Sequence, residues 1–297
     1  VFAAVLMAVV AAVLFAVAAV AQNGAVAAVV ERTPSAVLGG AELRDLARSR
    51  VWLAGISLTA IASVIHAGAL ILAPVAVVQP IGVLSVPFAV VIAARRTRMR
   101  PPAAVLTAVA ICLVAVAGFV MLAESALGST PRPRFLGVLA AALTAAAVVG
   151  LLMLWALGRT GWMRCVGFAA AGATAFGLVS ALMRLISLNL TAGVNDLDDV
   201  GVWLPAGGIV AALLVGGWAV QQAHAAGAPA VVVGCLTVID PLVAVVLGIT
   251  MLGEGGTASS ATVLGLIGFA VLALSAAILL ASRHPAAQPA TGGPLPR

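Results

Sequence analysis

The sequence predicts an all-α polytopic membrane protein, and three observations carry that prediction. Apolar runs of about 20 residues follow one another nearly end to end over 297 residues, and runs of roughly 18 or more apolar residues read as membrane helices. Only 8% of residues are charged, against about 25% in soluble domains. The arginines collect between the apolar runs, where membrane topology needs them. A mean hydropathy of +1.24 agrees. A β-barrel is disfavoured, because barrel strands alternate over about 10 residues and these runs do not.

The runs place nine helices. Helix 1 covers residues 1–22, helix 2 covers 51–72 and helix 3 covers 75–94. Helices 4, 5 and 6 cover 103–123, 135–157 and 165–188. Helices 7, 8 and 9 cover 202–222, 230–250 and 260–282. Helix 1 lacks the basic n-region of a signal peptide and flows into a polar loop, so it is expected to be a true span. Within the loop 31–50, Leu38, Leu43 and Leu46 alternate with charges and predict a short amphipathic surface helix. Residues 283–297, rich in Ala, Pro and Gly, read as a disordered tail. The units are residues 1–50, a first repeat 51–125, helices 5–6 within 126–200, a second repeat 201–282, and the tail.

Charge sets an orientation. Arg32, Arg44, Arg48 and Arg50 follow helix 1, and Arg95, Arg96, Arg98 and Arg100 follow helix 3. Arg159 and Arg164 follow helix 5, and Arg283 follows helix 9. With nine crossings these ends share one side, which the positive-inside rule makes cytoplasmic. The N-terminus is then outside and the C-terminus inside, in a multi-pass protein of the plasma (inner) membrane. The net charge of +6 is thus topological and predicts no nucleic-acid partner. The expected partners are membrane lipid and a small-molecule or ion substrate, and the sequence is compatible with a homodimer. Cys112, Cys165 and Cys235 form no CxxC pair and read as small buried residues. No GxxxxGK[ST], HExxH or GxSxG is present, so no enzyme activity and no cofactor are expected.

The chain also echoes itself. "VWLAGISLTA" at Val51 returns as "VWLPAGGIVA" at Val202, and "APVAVV" at Ala73 returns as "APAVVV" at Ala228. The offsets are 151 and 155 residues. Helices 2–4 would then match helices 7–9 five helices later, and an odd separation inverts the second copy across the membrane. Inverted repeats are typical of secondary transporters, with the binding site near the bilayer midplane between the halves.

The stretch "WLAGISLTAIASVIHAGALILAPVAVVQPIGVLSVPFAVVIAARR" (52–96) resembles the NIPA-type magnesium transporters of the drug/metabolite transporter superfamily, which also holds the EamA-like exporters. "APVAVVQPIGVLSV", "APAVVVGCLTVIDPL" and the "LGE" ending at Glu254 carry the likeness. The resemblance implies a carrier for Mg²⁺ or another divalent cation, or for a small organic metabolite. The family often has Thr-Pro where this chain has Gln79-Pro80 and Asp240-Pro241, and helix 2 offers Ser63 and His66 without a carboxylate.

Asp240 is the foremost site candidate. It is the single charge between Ala228 and Gly253 and lies near the middle of helix 8. A carboxylate there costs about 2.5–3.5 kcal/mol on the insertion scale, so its default reading is functional. It would hold a cation directly or through the ion's waters, or carry a coupling proton; pairing with Arg184 is the structural alternative. Pro241 removes a backbone N–H and is expected to bend or break the helix. Gln79 with Pro80 would form a second broken element, and Pro87 a matching kink. His66 and Ser63, one turn apart, are expected to share a face of helix 2. Gln22, Asn23, Gln221, Gln222 and His224 read as interfacial caps or an inner vestibule. Transport competes with two other classes, a non-transporting membrane scaffold and an intramembrane enzyme, and the latter lacks a visible catalytic cluster.

Overall fold

The structure is a computed structural model that describes residues 2–32, 37–72, 78, 81–98, 100–126, 135–191, 200–252 and 259–283. Every regular element among them is helical. They are α1 (Phe2–Arg32), α2 (Gly40–Arg48), α3 (Arg50–Leu72), α4 (Ser85–Thr97) and α5 (Ala103–Ala126), then α6 (Phe135–Leu157) and α7 (Gly161–Thr191). α8 (Val200–Ala226), α9 (Pro229–Leu247), a π turn at Gly248–Leu252 and α10 (Ser260–Arg283) complete the chain.

Among the described residues, eight helices are long and apolar enough to cross a membrane: α1, α3, α5, α6, α7, α8, α9 and α10. The chain is therefore an all-α polytopic membrane protein. The expected third span (75–94) is not among the eight. It is described only in part: Val78, Ile81 and Gly82 are helical, Val83 and Leu84 form a turn, and the 13 residues of α4 follow. Residues 73–77, 79 and 80 lie outside the described residues, as do the tail from 284 and the acidic run 195–199. Pro87 is the third residue of α4, in its first turn, just after the interruption at Val83–Leu84 that separates α4 from helical Ile81 and Gly82.

Helix ends also move. α1 runs ten residues past Gln22, and α8 runs past Gln222 to Ala226, so the amides expected as end caps sit inside helices. The amphipathic piece after helix 1 is α2. Glu42 accepts a hydrogen bond from the Gly39 N–H (3.0 Å) at its start, and Leu38 and Leu46 are buried beneath it. A negative side chain in the first turn and Arg48 in the last complement the helix dipole.

Two apolar cores share α9. One gathers α6, α7, α8 and α9 around Phe168, Val232 and Cys235; the other gathers α4, α5, α9 and α10 around Val86, Val238 and Leu280. α7 is the enclosed helix, with 78% of its most apolar window buried, whereas α3 and α6 have 11% and flank the bundle. Small residues allow this enclosure: a Cβ on Gly172 of α7 would meet Val220 and the Gly216 carbonyl of α8, so the two backbones touch. The contacts run in pairs. α1 packs on α3 and α4, α7 packs on α8 and α9, and α4 meets α9 while α5 meets α10.

Candidate functional site

Asp240 sits in the fourth turn of α9, half-buried. Helical spacing puts Val233, Thr237 and Ala244 on the same face. Pro241 does not break the helix, contrary to the expectation: α9 is α-helical from Pro229 to Leu247, and the departure to π geometry comes only at Gly248. What Pro241 does remove is the N–H that would bond the Thr237 carbonyl. The Thr237 hydroxyl does not compensate, because it donates backwards to the Val233 carbonyl (2.9 Å) and the Gly234 carbonyl (3.3 Å).

The other wall of this turn is α7. A Cβ on Gly177 would lie 2.7 Å from the Val243 side chain and 3.0 Å from the Asp240 carbonyl oxygen. Only glycine lets α7 press against the Asp-Pro turn. Among the described residues, no hydrogen bond or ion pair engages the Asp240 carboxylate, Arg184 included. Geometry explains the missing pair: Arg184 is seven residues along α7 from Gly177, about 10 Å further toward the other end, and is exposed. A carboxylate with four lone-pair sites and no protein partner is free for a ligand, an ion's waters or a proton.

His66, in α3, is half-buried, and its Nδ1 is buried without a hydrogen-bond partner. The ring packs edge-on to Phe15 of α1 (centroids 6.4 Å, 67°) and its Cε1 faces Gly82. Ser63 does not join it. The two are separated by about 60° around the helix; Ser63 is exposed and its hydroxyl donates to the Thr59 carbonyl (2.9 Å). Gln79 and Pro80 lie outside the described residues. The expected constellation is therefore not gathered in one chamber, and no group of three His, Cys, Asp or Glu among the described residues is placed to hold a metal.

A cavity lies elsewhere. About 570 Å³ opens between α6, α7 and α8, walled by Val149, Met153, Leu178, Leu182 and Ala212, with Asn189 as its polar side chain. None of Asp240, His66, Ser63 or Arg184 lines it. Pro205, inside α8, shapes one wall.

A polar cluster at the arginine-rich end was read from sequence as caps or a vestibule, and it is neither. Gln221 donates to Gln22 (2.9 Å), Gln22 donates to Thr59 (2.9 Å), and the Trp52 indole donates to Gln221 (2.9 Å). Gln222 clasps the Leu38 peptide at both its N–H and carbonyl (2.9 Å each). Asn23 donates to the carbonyls of His224 (3.0 Å) and Gly227 (2.8 Å). Gln22, Gln221, Gln222 and His224 are all buried. The signal in the sequence was the pairing of polar doublets, Gln22-Asn23 and Gln221-Gln222, at the same membrane side of two different helices.

No family model, no curated protein and no solved structure matches this chain.

Proposed function

We propose that this protein is a secondary transporter working by alternating access, with Asp240 at its substrate or coupling site. The observation that carries the reading is the Asp240 carboxylate, which has no partner among the described residues although it sits in the middle of an apolar span. A cost of about 2.5–3.5 kcal/mol without a bonded partner is retained where a ligand or proton repays it. The orphaned Thr237 carbonyl beside it supplies a neutral oxygen, the donor type that hard cations take.

The inverted repeat expected from the sequence would support the same reading. α3, α4 and α5 stand for helices 2–4, and α8, α9 and α10 for helices 7–9. The packing of α1 on α3 and α4 has its counterpart in α7 on α8 and α9, and α4–α9 and α5–α10 are pairs of like with like. Two such halves, exchanging conformations, would alternate access to a site at the central turn. In the plasma membrane, with the arginine-rich ends cytoplasmic, the substrate would be Mg²⁺ or another divalent cation, in line with the NIPA-like stretch 52–96.

A second reading has its own observation. The 570 Å³ cavity between α6, α7 and α8 is apolar, which favours a small organic metabolite or organic cation of the kind EamA-like exporters carry. Protein reconstituted in liposomes around a magnesium-sensitive dye separates them. Mg²⁺ uptake that disappears in Asp240→Asn supports the cation reading. A folded, oriented preparation with no uptake overturns it and turns the search to organic substrates.

A further inference from the structure

In the buried amide cluster at the arginine-rich end, the glutamine amides and the Asn23 amino group are answered inside the protein, while the neighbouring His224 Nδ1 is buried without a hydrogen-bond partner. Both ends of the Gln22, Gln221 and Gln222 amides are bonded, and both Asn23 donors found carbonyls. A vestibule that waits for substrate would leave such groups to water or ligand. A closed contact satisfies them, because an unpaired buried polar group is costly.

The partners are as informative as the bonds. Gln22, Asn23, Leu38 and Trp52 belong to α1–α5, whereas Gln221, Gln222, His224 and Gly227 belong to α7–α10 or the turn inside that half. Six side-chain hydrogen bonds among the described residues join these two halves, and all six are in this cluster. The other cross-half contacts, of α1, α4 and α5 on α9 and of α5 on α10, include apolar side chains such as Val86, Val233, Phe119 and Leu280. Apolar helix faces slide or tilt without stranding a polar group; amide pairs either hold or break.

The connection between α1 and α3 adds a strap. Its Leu38 peptide is clasped by Gln222, and Leu38 and Leu46 bury themselves with Val26 and Val29, beside Ala225 at the end of α8. Chain from the first half thus lies across the end of a helix from the second.

We propose that this cluster is a latch that holds the arginine-rich end of the bundle shut, and that the end opens by breaking the Gln22–Gln221, Trp52–Gln221, Asn23–α8 and Leu38–Gln222 bonds together while the α2 strap lifts. The latch rests on the half-against-half reading above, but it is tested without any transport. Cys165, in the first turns of α7, is fully buried with its sulfur packed against Gly227, directly behind the Asn23 bond. Lifting the latch uncovers that thiol. Cys112, buried in the middle of α5, is remote from it and reports general loosening.

The experiment is thiol labelling of the full chain in liposomes with a membrane-impermeant maleimide, read separately at Cys165 and Cys112 by peptide mass. Trp52→Phe keeps the ring packing and removes one bond, so Cys165 labelling should accelerate about fivefold, the worth of one net hydrogen bond. Gln221→Ala removes two and should accelerate it by more than tenfold. Cys112 should label at the wild-type rate in both. The latch is overturned if Cys165 keeps its wild-type rate in both variants, or if Cys112 accelerates in step with it. Absence of substrate flux in the same liposomes would sink the transporter reading and leave the labelling result to decide the latch alone.

Discussion

The polar residues of this bundle fall into two regions that use their hydrogen-bonding capacity in opposite ways. At the arginine-rich end, three buried glutamines and Asn23 close a network in which each amide meets a protein partner. At the centre, Asp240 carries a full charge-bearing group on an apolar helix and meets none among the described residues. The first arrangement holds helices in place. The second leaves a group available. Burial alone does not distinguish a structural polar residue from a functional one; what separates them is whether the protein itself answers the group.

Four substitutions break or sharpen that contrast. The largest effects belong to Asp240. Asp240→Leu should raise stability by up to about 3 kcal/mol, since an unanswered carboxylate leaves the membrane interior, while flux disappears. Thermal unfolding in detergent measures the first part, and a drop in stability would mean that the carboxylate has a structural partner after all. Gln222→Ala should do the reverse and destabilise by about 2–3 kcal/mol, because the buried Leu38 peptide loses both of its bonds. The same unfolding assay decides it, and an unchanged midpoint would make the clasp incidental. Gly177→Ala places a methyl against Val243 and the Asp240 carbonyl, so about 1–2 kcal/mol should be lost as α7 is pushed off the Asp-Pro turn. Retained stability with altered flux would show that the turn yields rather than the packing. Ser63→Ala should change stability by less than about 0.5 kcal/mol and leave flux intact, since the hydroxyl only bonds back to its own helix. A large loss of flux there would return Ser63 to the site.

How much of this could be read from the sequence depended on the kind of physics involved. The membrane class and most spans follow from hydropathy, which is a property of each segment alone. The third span, 75–94, is described only in part, and within it the turn at Val83–Leu84, just before Pro87, interrupts a run that hydropathy reads as continuous. Gln22 and Gln221 were placed at helix ends because a polar pair in an apolar run looks like a boundary. Each is instead buried by the other's helix, a fact that belongs to neither segment. Ser63 and His66 show the same limit at finer scale: spacing put them near one another on α3, but only the position of α1 decides that His66 turns inward and Ser63 outward. Asp240 stood out from the sequence because its cost is local. The cavity between α6, α7 and α8 was invisible, since empty space between helices is written in no single run of residues.

The lengths of α1 and α7 carry one more consequence. Each has 31 residues, about 46 Å of helix, against a hydrocarbon core of ~30 Å. Such helices lean, stand proud of the surface, or both, and the lean changes with the thickness of the lipid around them. α1 brings two of the amides to the arginine-rich end, and α7 brings Gly177 to the Asp240 turn. The lipid's chain length is therefore a setting on this molecule: a thinner bilayer tips both long rods at once, and with them the angle at which the two halves meet.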